Sequence, residues 1–153
     1  MAFLSSMNIL GSGLTVQQTR LDITSENIVN MNTTRTESGD PYYRKMVVVE
    51  AQDDRDNFYY FLNQAQNSMV SNRNYDTKGG VIVTEIVEDP NDLKIVYDPT
   101  HPDANDQGYV EYPNVDLVKE MTDAMAANQA YSANVTALNL MKSVIAKALE
   151  IGR

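Results

Sequence analysis

Two helical stripes at opposite ends of this chain constrain its fold more than anything between them. Phe3, Met7, Leu10, Leu14, Gln17, Leu21, Thr24, Ile28 and Met31 follow one another in steps of four and three. Leu117, Met121, Ala124, Asn128, Tyr131, Val135, Leu138, Lys142, Ile145 and Leu149 do the same near the other end. Such spacing puts each set on one side of an α-helix. Met125, Met141 and Ala148 widen the second stripe. Both seams are narrow and heptad-like, as in a coiled coil. Gly11 and Gly13 weaken the first helix, each by about 1 kcal/mol relative to Ala.

The texture changes between the stripes. Arg44 to Glu50 and Val81 to Val87 are rich in β-branched residues and read as strands. Leu93 to Tyr97 reads as a third strand, after the turn-rich Glu88-Asp89-Pro90-Asn91-Asp92. The last two strands are expected to pair as a hairpin. Residues 57–74 carry Phe58, Phe61, Leu62, Ala65 and Met69 at helical spacing, but their many asparagines suit a loop equally well. Asp98 to Gly108 holds two prolines and a glycine and should be irregular. Pro113-Asn114 opens the second helix, with Asn114 as its cap and Asp116 and Glu120 in its first turns. The expected class is α+β: long terminal helices packed as a coiled-coil-like pair or bundle, with a small β-rich insert. The expected units are residues 1–36, 37–112 and 113–153.

Charge sharpens this division. The net charge of −9 lies wholly in the middle, because Arg20 and Arg35 balance Asp22 and Glu26 in the first unit. In the last unit, Lys119, Lys142, Lys147 and Arg153 balance Asp116, Glu120, Asp123 and Glu150. Neutral ends are expected to pack, and an acidic middle to stay wet. No basic stripe exists to neutralise phosphates, which disfavours nucleic acid as a partner. Cysteine is absent, so disulfides and thiolate chemistry are excluded. No apolar run is long enough to span a bilayer. No Lys or Arg precedes Arg20, so a cleaved secretory signal is not expected.

The search for chemistry yields little. His101 is the only histidine, flanked by Asp98, Asp103 and Asp106. A metal-binding module at residues 98–106 is one reading; a solvated loop stiffened by prolines is the other. Asp103 to Gly108 approaches a calcium loop, but Gln107 replaces a ligand and the closing Glu falls at Asn114. Gly11-Ser12-Gly13 has no strand before it and is not a nucleotide loop. Eight of the nine tyrosines lie in the acidic middle, where they serve either an interface or a small core. The methionines of the seams, among them Met121, Met125 and Met141, fit a docking face or a plain core alike.

The stretch Ser12 to Thr36, SGLTVQQTRLDITSENIVNMNTTRT, resembles the N-terminal signature of bacterial flagellar rod and hook proteins. There a helix ends in an Asn-rich motif; here Val29 and Met31 stand where alanines are usual. Tyr97 to Ala104, Gly108 to Val110, Tyr112 to Val115 and Lys147 to Arg153 carry the resemblance through the rest of the chain. It is weakest from Asp53 to Asp76.

The resemblance implies a non-enzymatic structural subunit of the proximal rod, without cofactor or metal. It implies terminal helices packed into the inner tube of a helical assembly, which helps form the drive shaft for motility. It implies export through the flagellar type III apparatus without a cleaved signal, to the basal body outside the cytoplasmic membrane. The partners implied are further copies of the chain and other rod proteins of the FlgB, FlgF, FlgG and FliE types. An export or basal-body adaptor that does not polymerise is the alternative. The expected assembly interface comprises Leu10, Leu14, Leu21, Asn27, Ile28, Asn30, Asn32, Thr33, Thr34, Leu117, Met121, Asn128, Val135, Leu138, Ile145 and Leu149. Within it, Asn27, Asn30, Asn32, Thr33, Thr34 and Thr36 are expected to bond the backbone of neighbouring segments where the helix ends.

Overall fold

Both helical stripes are helices in the computed structural model, which describes residues 2–52 and 79–151. Helix α1 spans Ala2–Val29 and passes Gly11 and Gly13 without a break. Helix α2 spans Leu117–Ile151, which at 1.5 Å per residue is roughly 50 Å long. Between them lie strands β1 (Lys45–Ala51), β2 (Val81–Glu88), β3 (Lys94–Tyr97) and β4 (Tyr109–Tyr112). The chain is therefore α+β, with a helix at each end and small sheets between. The ambiguous stretch 57–74 lies outside the described residues.

The helices pack antiparallel. Asn27, near the end of α1, meets Glu120 in the first turn of α2 at 3.1 Å. Further along, Gly13 lies against Asn134, whose Nδ2 would stand 3.1 Å from a Cβ built on the glycine. Contact numbers thus fall on one helix as they rise on the other. Helix α1 also packs on β1 and β2, where the Val81 N–H donates to Ser12 Oγ at 3.1 Å.

The seam of α2 is turned relative to the sequence expectation. Ala124, Tyr131, Leu138 and Ile145 face inward as the stripe required. At Glu120, Ala127 and Met141 the inward residue is one before the expected Met121, Asn128 and Lys142, while Asn134 and the expected Val135 are both half-buried. The small Ala127 is 1% exposed, while the larger Met121 is 51% exposed. Gly13 leaves room for the Asn134 side chain against α1, and the small Ala127 is buried on the same side of α2.

The strands pair differently from the hairpin expected between residues 81–87 and 93–97. Strand β2 pairs antiparallel with β1, and β3 with β4. Thr84 is an extra residue on β2, since Val48 faces Glu85 and Val49 faces Val83. The Asp89 N–H donates to Arg44 O at 2.7 Å and carries the first ladder one step past β2. Pro90 has no N–H to continue it, so the chain leaves for a second sheet. There Tyr109–Tyr112, not foreseen as a strand, completes the pair. Gly108 turns the chain into β4 with φ of 81°, and a Cβ there would lie 3.0 Å from the Tyr97 ring.

Asp116, rather than the expected Asn114, caps α2. Its Oδ1 accepts from the Val118 N–H at 2.9 Å. Asn114 Oδ1 instead accepts from the Arg44 N–H, and its Nδ2 donates to Asn91 O. The apolar core is thin. Val16, Tyr42, Val110, Val115 and Ala127 are the buried apolar residues among those described.

Candidate assembly site

A buried polar node joins the end of α1, the approach to β1, the end of β2 and the start of α2. Asn27 is 1% exposed, and its amide is fully used. Oδ1 accepts from the Lys45 N–H at 2.9 Å and from Tyr42 Oη at 2.8 Å. Nδ2 donates to Lys45 O at 2.9 Å and to Glu120 Oε2 at 3.1 Å. Pairing both the N–H and the C=O of Lys45, Asn27 imitates a strand neighbour. Only a planar amide with donor and acceptor side by side can do this.

Glu120 is equally buried. Its Oε1 accepts from Arg44 Nε at 2.7 Å. Arg44 Nη1 donates to Asp89 Oδ2 at 3.3 Å, and Nη2 lies 3.8 Å from the more exposed Asp123. Burial opposes the charge on Arg44, but the bond to Glu120 and the charges of Glu120 and Asp89 outweigh it and raise the pKa. Burial, followed by the charges of Glu26, Glu120 and Glu88, pushes the Tyr42 phenol up, so it stays a donor to Asn27. The expectation of a wholly wet acidic middle is corrected here: Asp89 and Arg44 are buried, because each completes the other's hydrogen bonding.

The remaining polar residues of the motif close the end of α1. Asn30 Nδ2 donates to Glu26 O at 3.0 Å, and Thr33 Oγ1 donates to Asn30 Oδ1 at 3.2 Å. Thr34 Oγ1 donates to Asp103 Oδ2 at 2.8 Å, tying the motif to the loop between β3 and β4. Thr36 bonds Asp40 O through both its N–H and its hydroxyl. Asn32 is exposed. It borders a groove of about 370 Å³ lined also by Met31, Val96, Tyr112, Pro113 and Leu117. Among the described residues, no group of three or more His, Cys, Asp or Glu side chains is placed to hold a metal. His101 Nδ1 accepts from the Asp103 N–H at 3.1 Å, a loop contact.

The other expected interface residues divide into two sets. Leu10, Leu14, Leu21, Ile28, Val135, Leu138 and Ile145 are half-buried along the helix pair. Leu117, Met121, Asn128 and Leu149 are exposed. An outer strip is formed by the exposed large apolar side chains Val118, Met125, Leu140 and Val144; Met125, expected to widen the inward stripe, lies here instead, and the other three were not foreseen. At about 100° per residue they line the side of α2 opposite α1. Their own helical spacing was the available signal, but it competes with the stronger heptad seam.

Charge distribution completes the surface. Residues 1–19 contain no charged side chain, and neither do residues 124–141. The antiparallel pairing lays these stretches side by side. The helix pair thus carries a long uncharged flank with exposed aliphatic groups, joined through the Arg44 node to an acidic insert. Exposed aliphatic groups on an uncharged helical flank form an apolar patch of the kind that marks interaction surfaces.

The comparisons define the class. Residues 7–35 match the family described as "Flagella basal body rod protein". Residues 106–151 match that described as "Flagellar basal body rod FlgEFG protein C-terminal". Over nearly its full length, the chain is 44% identical to the flagellar basal-body rod protein FlgC of Bacillus subtilis (strain 168), covering 97% of each. It is 40% identical to FlgC of Borreliella burgdorferi, over 99% of this chain and 98% of that one. It is 36% identical to FlgC of Escherichia coli O6:H1 over the whole of both. The chain belongs to the FlgC family of flagellar basal-body rod proteins.

Proposed function

We propose that this chain is a structural subunit of the proximal rod of the flagellar basal body, and that it polymerises through its terminal helices. The convergence of residues 1–19 and 124–141 on one uncharged flank carries the reading. Subunits of net charge −9 repel one another wherever their charges come close. Packing the uncharged flanks together keeps the acidic inserts apart. The exposed Val118, Met125, Leu140 and Val144 then gain the burial they lack in the single chain.

In this reading the partners are further copies of the chain and related rod proteins of the FlgB, FlgF, FlgG and FliE types. The subunit reaches the basal body, outside the cytoplasmic membrane, through the type III export apparatus. Among the described residues, no helix is long and apolar enough to cross a membrane. The role is mechanical: the rod transmits torque, and no catalytic group is required.

The test is Met125→Lys and Leu140→Lys, singly and together. Both sites are exposed, so unfolding of the isolated chain should move by no more than about 0.5 kcal/mol. Incorporation into rods, read by labelling isolated basal bodies, should be lost in the double variant. Normal incorporation would refute the outer strip as an assembly surface.

A further inference from the structure

Among the described residues, the outer face of the β3–β4 hairpin is largely uncovered, with Tyr109 and Glu111 bordering a groove walled by Arg35, Asp40 and Pro41. Alternation along the strands puts Ile95, Tyr97, Tyr109 and Glu111 on one side, with Ile95 opposite Glu111 and Tyr97 opposite Tyr109. Ile95 is 67% exposed and Tyr97 65%. The tyrosine rings meet edge to face at 5.2 Å, which fixes them as a ridge. The other side of the hairpin holds the buried Val110. With Glu111 beside the tyrosines, the exposed face is aromatic and acidic.

At the far tip of α2 the chemistry is reversed. Leu140 and Val144 are exposed, and Lys147 follows on the same side of the helix one turn later. Among the described residues no carboxylate pairs with Lys147, nor with Lys119 or Lys142, whereas Arg35, Arg44 and Lys45 have acidic partners. The spacing also agrees. Successive side chains on one face of a strand lie about 7 Å apart. Leu140 and Val144 lie about 6 Å apart along the helix axis. With Leu140 on the Tyr97–Tyr109 rank, Val144 falls on Ile95 and Lys147 reaches Glu111.

We propose that the outer face of the hairpin binds the tip of α2 of a second copy of this chain, residues Leu140 to Lys147, with Lys147 paired to Glu111. The contact is head to tail. The hairpin sits beside the start of α2, where Lys94 Nζ donates to Val115 O at 2.8 Å. Leu140 lies about 35 Å further along that helix, so one chain cannot satisfy its own hairpin. A heterologous contact of this kind leaves a free end on each copy and propagates an open assembly. The inference rests on the rod-subunit reading and names one interface within it.

The absence of cysteine makes a cross-linking test clean. Tyr97→Cys chains are mixed with Leu140→Cys chains at assembling concentration and oxidised. Tyr97→Cys with Met121→Cys, exposed on another side of α2, is the control. The expected result is a disulfide dimer in the first mixture at least about tenfold faster than in the control. In parallel, Glu111→Lys and Lys147→Glu should each weaken self-association about tenfold by sedimentation, and a mixture of the two should restore it. Thermal unfolding of each variant checks that it folds. If wild-type chain assembles but the first mixture cross-links no faster than the control, this contact is overturned and the rod reading stands. If wild-type chain neither self-associates nor joins a rod, both fall.

Discussion

Asn27 and Glu120 lie 93 positions apart in the chain and 3.1 Å apart in the structure. Through them the Asn-rich end of α1 is fastened to the first turn of α2, and Arg44 fastens both to the insert. Asn27, two residues before the end of α1, is thus an internal fastener. The exposed groups lie elsewhere, at Asn32 and along the outer strip of α2.

Asn27→Ala should destabilise the isolated chain by about 2–3 kcal/mol. The substitution strands the buried Lys45 N–H, the Tyr42 hydroxyl and one oxygen of Glu120 without partners. Urea unfolding of the two chains would measure it. A loss below about 0.5 kcal/mol would mean that the node relaxes around the gap.

Arg44→Ala should cost more, about 3–5 kcal/mol, because it leaves Glu120 and Asp89 charged, buried and without a cation. Glu120→Gln keeps a hydrogen-bond acceptor for Arg44 Nε and should cost less. The difference should change little with added salt, since the group is out of solvent. A strong salt dependence would place the pair at the surface and contradict the node.

Tyr42 gives a pH signature. Its folded pKa lies above the ordinary 10.0, so folding favours the neutral phenol. The corresponding stability is fully present below pH 10 and is lost as pH rises past it, because the unfolded chain then releases a proton that the folded chain retains. The stability gap between wild type and Tyr42→Phe should therefore shrink above pH 10. A gap that stays constant in alkaline unfolding curves would show that Tyr42 ionises freely when folded.

Two glycines should respond differently. Gly108→Ala forces a side chain into a left-handed turn and against Tyr97 and Pro99, and should cost about 1–2 kcal/mol. Gly13→Leu should cost at least as much by prising α1 from Asn134, with Gly13→Ala near neutral. In the alanine case the helix gains about 1 kcal/mol of propensity, which offsets a contact that a flexible amide can relieve. Thermal unfolding of the three variants separates the effects. Equal losses for Gly13→Ala and Gly13→Leu would argue against close helix packing at this point.

Much of the architecture was legible before the structure. Period-3.6 patterning set both helices, and β-branched runs set β1, β2 and β3, because these are local properties of a few neighbouring residues. The strand at Tyr109–Tyr112 escaped notice, since four residues between Gly108 and Pro113 offer too short a pattern. The hairpin expectation failed because adjacency in sequence does not choose a strand's partner. Asp89 did so, by bonding back to Arg44.

The sequence by itself determined that this chain has two amphipathic ends and an acidic middle, and its motif placed it among rod and hook proteins. Only the tertiary structure decided which side of each helix turns inward. Heptad spacing at Leu117, Met121 and Asn128 left that angle open, and the seating of the Asn134 side chain on Gly13 and the burial of Ala127 closed it. Only the tertiary structure, too, gave Asn27, Arg44 and Glu120 their meaning. A polar residue reads as surface until a partner from a distant segment satisfies it, and periodicity carries no record of which segments meet.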